Sequence, residues 1–191
     1  MRTLTAGRLI RTIIIAWAFA AIDGASAASV TPSAPDGAAS GESDYSFNIE
    51  KLDLNVYGLS YHPDREAVHS KDLDNQVNWG LGLHYSLKDS DRGTTFLEAG
   101  SYYDSGRNWA KFAGLGYQFK IAKDWKIGGA VAAVNSATYN RGTTFVGMIP
   151  LITYDLGPIK LNAVYFPKVA NYNKVDVFAF YLSIPFGTFL H

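Results

Sequence analysis

Three residues of types that serve acyl transfer follow directly on two apolar segments of this chain. His62 comes after a run that ends at Tyr61, and Asp104 and Ser105 come after a run that ends at Tyr103. A hydroxyl nucleophile needs a base to take its proton, and a carboxylate orients or stabilises that base. Together these three side chains would have the chemistry to open an ester, provided that the segments bring them to one place.

The Asp104–Ser105 pair is weak evidence by itself. Adjacent side chains of a regular strand diverge, so the two need a local turn, which Gly106 permits. A second such pair, Asp89–Ser90, lies in a tight turn between two other apolar runs. An ordinary turn therefore remains the alternative interpretation of Asp104–Ser105.

The N-terminus has the pattern of a secretory signal. A basic start precedes an apolar run, Ile13 to Ile22, and small residues follow at 25–27. The run has about half the residues that a membrane span needs, so a signal peptide over 1–27 is favoured over an anchor helix. Residues 28–47 are small, polar and proline-bearing, and predict a flexible leader before a barrel domain over 48–191.

Composition excludes several classes of protein. Cysteine is absent, so disulfides and cysteine-based zinc sites are impossible, and no metal or soluble cofactor is implied. The 17 basic and 17 acidic residues leave no basic excess for binding nucleic acid. An exported chain with 14% aromatic residues and 18 glycines indicates a bacterial outer-membrane barrel.

Eight apolar-aromatic runs separated by turn residues predict an all-β, eight-stranded antiparallel transmembrane barrel. They cover about 49–62, 76–88, 94–103, 109–120, 126–136, 143–155, 159–167 and 175–186. Three connections are tight, and the others include two clearly longer loops. Because short turns face the periplasm and longer loops face outside, we expect His62, Asp104 and Ser105 on the external rim.

The alternation of side chains predicts which face of each run meets lipid. Phe178, Phe180 and Leu182 lie on one wholly apolar face of the eighth run. In the fourth run Gly114 and Gly116 lie on the opposite face from its outward aromatics, which places them in the lumen. Small inner residues would leave a narrow apolar cavity, with a closely packed lumen as the alternative. The register of the first run stays open.

The stretch from about Leu54 to Phe186 resembles the PagP family of outer-membrane lipid A palmitoyltransferases. The matching pieces occur in the same order and spacing, and they are His62, Asn75, Trp79-Gly80, Tyr103-Asp104-Ser105, Trp109, Ala113-Gly114-Leu115-Gly116, Pro150-Leu151, Gly157-Pro158, Tyr165-Phe166-Pro167 and Tyr172-Asn173. The resemblance implies transfer of a palmitoyl chain from the sn-1 position of a glycerophospholipid to lipid A. Its partners would be these lipids, with no obligate protein partner and no nucleic acid.

The resemblance also implies roles for particular residues. His62, Asp104 and Ser105 match the residues that the family needs for activity. Gly116 matches a glycine on the lumen floor that measures the hydrocarbon chain, and we expect Gly114 and Gly116 to line the acyl pocket. Pro167 matches a proline in one of two lateral openings for lipid.

Two features depart from the family pattern. The leader has no helical apolar period, so the amphipathic helix that precedes the barrel in the best-known members is predicted to be missing or reduced. Tyr57 occupies the first-strand position where the family has its other gate proline, so lipid access there is expected to differ.

Three alternatives remain at this stage. A structural or adhesion barrel predicts a lumen filled by a polar network, and a lipid A deacylase would release the acyl chain to water. A soluble lipid carrier would expose the apolar stripe of the eighth run to water, which is costly.

Overall fold

The computed structural model describes residues 47–169 and 172–189, and in them the chain forms a closed barrel of eight antiparallel strands. The strands are β1 (Leu52–Tyr61), β2 (Val77–Asp89), β3 (Gly93–Tyr103), β4 (Trp109–Lys120), β5 (Trp125–Asn135), β6 (Phe145–Asp155), β7 (Lys160–Phe166) and β8 (Val177–Pro185). Each strand pairs with its neighbours in chain order, and β8 closes on β1. The prediction of an eight-stranded antiparallel barrel is confirmed.

The helical segments are short. Within residues 47–169 and 172–189 they comprise one α-helix, α1 (Arg65–His69), and the 3-10 turns Ile49–Lys51, Asn140–Gly142 and Phe186–Phe189. In the described part of the chain, no helix has the length and apolar character needed to cross a membrane. The predicted signal peptide at 1–27, and the leader at 28–47 apart from Phe47, lie outside the described residues.

The connections between strands are short at one end of the barrel and mostly longer at the other. Three tight turns, at 90–92, 121–124 and 156–159, lie at one end. The segments 62–76, 104–108 and 136–144, together with the described residues 167–169 and 172–176, lie at the other. Short turns mark the periplasmic end of such barrels, so His62, Asp104 and Ser105 share the external end.

The outer surface is an apolar band with aromatic side chains near both ends. Met148 is 74% exposed, which would be unfavourable in water and is expected against lipid. Trp79 and Trp109 pack edge to face near the external end, with ring centroids 4.7 Å apart. Trp125 packs on Tyr154 near the periplasmic end. These features place the barrel in the outer membrane.

A bulge in β1 settles the register that the sequence left open. The pairing with both neighbouring strands shifts between Tyr57 and Leu59. Gly58 is an extra residue opposite β8, whereas opposite β2 the extra residue lies on β2, between Val77 and Gly80. Asn55 and Tyr57 point into the lumen before the bulge, and Ser60 is buried after it. The bulge therefore reverses the alternation, and it turns His62 inward rather than towards lipid.

The periplasmic half of the lumen is filled by one chain of hydrogen-bonded side chains. It runs from strand to strand around the wall through Gln118, Thr153, Asn162, Ser183, Asn55 and Glu98, with donor–acceptor distances of 2.6–2.8 Å. Each of these groups is buried and satisfied, which makes this half of the barrel rigid. The polar network predicted for a structural barrel is thus present, but it occupies one half of the lumen only.

Two inner-face glycines are needed for close packing. A Cβ on Gly82 would lie 2.1 Å from the hydroxyl oxygen of Tyr57, and a Cβ on Gly100 would lie 2.6 Å from it. The ring of Tyr57 therefore crosses the lumen over these glycines, and they do not contribute empty space.

Candidate active site

Asp104 and Ser105 lie in a tight turn just beyond the end of β3. The Arg107 N–H donates to the carbonyl of Asp104 at 3.0 Å, and the Asp104 N–H donates to the carbonyl of Asn108 at 2.8 Å. The left-handed residue is Arg107, with φ of 60°, whereas Gly106 has a negative φ. Glycine is required at 106 for another reason, because a Cβ there would lie 2.4 Å from the Thr138 hydroxyl.

The Asp104 carboxylate is fully buried and accepts four hydrogen bonds. The N–H groups of Gly106 and Asn108 donate to Oδ1 at 3.0 Å each, and the Thr138 hydroxyl donates to it at 2.8 Å. The Ser136 hydroxyl donates to Oδ2. This anion therefore fixes the turn that presents Ser105, and it joins the β3–β4 connection to the β5–β6 connection.

Asn75 joins the His62 segment to the same turn. Its side-chain amide donates to the carbonyl of Asp104 at 3.0 Å, and its backbone N–H donates to the carbonyl of Ser105 at 3.3 Å. The external segments that follow β1 and β3 are thus held together by backbone contacts, as the strand count predicted for the rim.

His62 is fully buried, and neither ring nitrogen has a hydrogen-bond partner among the described residues. Burial, and then the positive charge of Arg65, lower the pKa of the imidazole from its ordinary value near 6.5. The ring is therefore neutral at pH 7, which is the form that accepts a proton. His62 and Asp104 share the external end without a hydrogen bond to one another, so the three residues do not form a pre-assembled triad.

An apolar cavity lies at this end of the barrel, with an empty volume of about 830 Å³ that includes space open to solvent; Ser105 lines it, and His62 and Asp104 do not. Ser60, Asn78 and Ser105 contribute polar atoms to its lining. The Ser60 hydroxyl and the Asn78 carbonyl oxygen are buried without a partner among the described groups. Unpaired buried polar atoms are costly, so their concentration at this end indicates a site that binds a polar group such as an ester.

The walls of the cavity are aliphatic and aromatic. They include Phe112, Gly114, Ala132, Ile149 and Val164. Gly114 is on the wall, as predicted for the acyl pocket. Gly116 is not, although it faces inward: the Phe96 ring covers it, and a Cβ on Gly116 would lie 2.2 Å from the Phe96 Cζ atom. Gly116 thus does not line this cavity, and its expected role in measuring the acyl chain stays a prediction.

The barrel wall has an opening beside the cavity. The β6–β7 ladder extends from Asp155–Lys160 to Leu151–Val164, whereas β6 pairs with β5 as far as Phe145. The external parts of β6 and β7 are therefore unpaired with each other, next to Pro167. Ile149 and Phe166, which flank this gap, line the cavity. In contrast, β1 and β2 stay paired from Leu52 to Leu59.

Several residues of the site were missed by the sequence reasoning. Ser136 and Thr138 clamp Asp104 from the connection after β5, and Ser60 and Asn78 supply polar atoms to the cavity. Their position in segments of the external rim was visible in the sequence. Their contacts depend on how four separate segments pack, which strand periodicity does not specify.

The chain is similar to proteins that act in lipid A acylation. A family model described as "Antimicrobial peptide resistance and lipid A acylation protein PagP" matches residues 44–182. Proteins named "Lipid A acyltransferase PagP" from Bordetella pertussis (strain Tohama I) and Bordetella bronchiseptica (strain RB50) are each 30% identical over 122 residues. The match spans 60% of this chain and 66% of the length of those relatives. The Yersinia pestis outer membrane protein Ail superposes with a TM-score of 0.45 and 14% identity over 71% of this chain and 99% of Ail.

A closed barrel with an apolar outer band and an internal apolar cavity defines an integral outer-membrane β-barrel protein. The match to the family model extends over most of the chain. The chain belongs to the PagP family.

Proposed function

We propose that this protein is a lipid A acyltransferase, which takes the sn-1 acyl chain of a glycerophospholipid and attaches it to lipid A in the outer leaflet. The observation that carries the proposal is the apolar cavity that Ser105 lines, at the end of the barrel where His62 and Asp104 also lie. An acyl chain seated there would hold its ester among the unpaired polar atoms of Ser60 and Asn78. The resemblance implies a palmitoyl chain.

The opening between β6 and β7 supports a route for the donor. A phospholipid in the outer leaflet has its acyl chains at the depth of this gap, so the sn-1 chain can move sideways into the cavity while the headgroup stays at the rim. Pro167, at the end of β7, is proposed as part of this gate. Pro150 has no N–H, so it cannot donate to β7 and close the ladder at that point.

The reaction exchanges one ester for another. A hydroxyl of lipid A attacks the donor carbonyl, the bond from that carbonyl to the glycerol oxygen breaks, and a lysophospholipid leaves. His62 takes the proton of the attacking hydroxyl and returns it to the departing glycerol oxygen. The same bonds are made and broken overall if the acyl group passes through an ester on the Ser105 oxygen. Asp104 holds the turn, and neither an oxidant nor a cofactor is consumed.

Mass spectrometry of lipid A from cells that express the wild type or His62→Ala tests the proposal. The wild type should add one acyl mass, and the variant should not, because the proton acceptor is gone. His69→Ala is the matched control, since it removes an exposed histidine from the same connection and should leave the added mass in place. Resistance of the folded barrel to detergent during electrophoresis reports that each variant is folded.

The other outcomes contradict the proposal in different ways. Loss of an acyl mass in the wild type would indicate a deacylase. Unchanged lipid A in all three strains, with folded barrels present, would indicate a structural barrel.

A further inference from the structure

We propose that the neighbouring phenol hydroxyls of Tyr102 and Tyr139 stabilise the negative charge that develops on the carbonyl oxygen of the donor ester during acyl transfer. The two side chains line the cavity together with Ser105. The inference rests on the proposed acyl transfer, and it adds two residues to the reaction that the sequence did not single out.

The buried Asp104 carboxylate joins the two segments that carry these tyrosines. Tyr102 lies near the external end of β3, just before the turn of Asp104 and Ser105. Tyr139 follows Thr138, whose hydroxyl donates to the Asp104 carboxylate at 2.8 Å. Tyr102 also packs against the buried cluster that contains Tyr139. The contacts that hold the turn of Ser105 therefore also place both phenols at this end of the cavity.

The two hydroxyls differ in their partners from the other phenols of the cavity. Tyr57 and Tyr181 also line it, and their hydroxyls donate to the Glu98 carboxylate at 3.3 Å each. Among the described residues, the side-chain hydroxyl beside that of Tyr139 is the hydroxyl of Tyr102. A pair of neutral phenols has two O–H protons, and a hydrogen bond between them uses one. One proton is therefore left to donate to a ligand in the cavity.

Tyr139 keeps its proton at neutral pH. Burial is the main cause that raises the pKa of its hydroxyl well above the ordinary value near 10, and the neighbouring Tyr102 and the charge of Asp104 raise it further. The ring of Tyr139 packs edge to face on Phe145, and the ring of Tyr102 packs on Phe112, with centroids 6.4 and 6.2 Å apart. A donor that is fixed in apolar surroundings stabilises a developing oxyanion more strongly than a donor in water.

The role fits the ester exchange without changing its balance. When the hydroxyl of lipid A attacks, the second bond of the carbonyl group breaks and its electron pair moves to the carbonyl oxygen. That oxygen accepts a hydrogen bond from the phenol pair, and the bond strengthens as the charge grows. The carbonyl bond then forms again, and the glycerol oxygen leaves with the proton from His62. Both phenols keep their protons, so they act by stabilising charge and not by transferring a proton.

The test compares purified wild type, Tyr102→Phe, Tyr139→Phe and the double variant in detergent micelles with dipalmitoyl phosphatidylcholine and lipid A. Each substitution removes one oxygen atom and keeps the ring. Loss of the phenol that meets the carbonyl oxygen should lower kcat by about a hundredfold, and loss of the phenol that polarises it by about tenfold. The KM for the phospholipid should stay within about threefold of the wild type, because the hydrogen bond gains its strength in the transition state.

The double variant distinguishes one hydrogen-bonded pair from two independent effects. If the hydroxyls act together, the double variant should be about as slow as the slower single variant, instead of showing the product of the two losses. The acid limb of the pH–rate profile should stay that of the wild type in every variant, because it reports His62.

Tyr172→Phe is the matched control. Tyr172 packs on the same Phe145 ring as Tyr139, with centroids 5.7 Å apart, but it is 47% exposed and does not line the cavity. Its kcat should stay that of the wild type. Resistance to detergent during electrophoresis reports that each variant is folded. If one single variant does not fold, the other decides the question, since each should lower kcat.

The outcomes separate this inference from the proposed function. A kcat within about threefold of the wild type in either folded single variant overturns the inference, and so does a loss confined to KM. An equal loss in Tyr172→Phe, or a double variant that shows the product of the two single losses, also overturns it.

Two results for the wild type bear on the proposed function itself. If the folded wild type releases fatty acid from the phospholipid without acylating lipid A, the proposed function is wrong, and the rates of release in the variants still decide the inference. If the folded wild type cleaves no donor ester, both are overturned.

Discussion

Substitution of Asp104 by asparagine separates two roles that its carboxylate can have, because asparagine keeps an acceptor oxygen and removes the charge. In the structure the carboxylate accepts two backbone N–H groups and two hydroxyls, and it makes no hydrogen bond with His62. These contacts indicate that the carboxylate holds the turn that carries Ser105. We therefore expect Asp104→Asn to keep measurable activity and Asp104→Ala to lose nearly all of it.

The magnitudes follow from the donors that each variant leaves. Alanine leaves the N–H groups of Gly106 and Asn108 without an acceptor, and each unpaired N–H costs about 1–3 kcal/mol of free energy. Asparagine keeps both bonds but makes them neutral, and each is then weaker by about 1 kcal/mol. If these losses appear in the transition state, asparagine slows transfer by about thirtyfold and alanine by about a thousandfold. The hydroxyls of Ser136 and Thr138 can reorient, so they add little to either loss.

The assay is the initial rate of acyl transfer to lipid A by purified protein, and thermal unfolding in the same micelles serves as a check on folding. Asp104→Asn should retain an unfolding temperature close to that of the wild type. Equal loss of activity in Asp104→Asn and Asp104→Ala, with both barrels folded, would refute the positioning role. The charge would then have to act on the reaction itself, by stabilising the protonated His62.

Two further predictions concern the base and the lumen. The value of kcat/KM should fall on the acid side with an apparent pKa below about 6.5, because burial and Arg65 disfavour the charged form of His62. Arg65→Gln removes the charge repulsion on protonated His62 and should raise that pKa, which a pH–rate profile measures. If the acid limb of the profile does not move, Arg65 is not a cause of the lowered pKa. Gly116→Ala puts a methyl group against Phe96 and should cost about 1–3 kcal/mol of unfolding free energy in denaturant titrations. Its acyl-chain optimum should stay that of the wild type, because Gly116 does not line the cavity, and a shorter optimum would show that the acyl chain reaches Gly116.

The periodicity of the strands made most of the fold predictable. β4 was expected at about 109–120 and spans Trp109–Lys120, and the boundaries of the other strands differ from expectation by three residues at most. Alternation over ten or so residues is a strong signal, because a slip of one residue would turn every lipid-facing side chain inward. The external placement of His62, Asp104 and Ser105 followed from that strand count.

The first strand shows where this reasoning fails. Apolar residues occur on both faces of β1, so alternation could not decide which face is the lumen. The bulge at Gly58 resolves the conflict by changing faces within the strand. It depends on how β1 fits between β2 and β8, and a single strand's sequence does not contain that information.

The lumen shows the same limit for function. Glycines on inner faces predicted open space, but Tyr57 covers Gly82 and Gly100, and Phe96 covers Gly116. Each large ring comes from a different strand than the glycine that it covers. The pattern of one strand cannot reveal which cross-strand partner fills the gap.

The sequence by itself determined an exported eight-stranded barrel, the end at which its reactive residues lie, and the resemblance that names a lipid reaction. These depend on local features, since strand alternation, turn residues and motif order are all read along the chain. The tertiary structure alone decided that His62 turns inward and that Asp104 is held by Ser136 and Thr138. It also decided that the Phe96 ring covers Gly116. Each of these depends on contacts between segments far apart in sequence, which form only when the barrel closes.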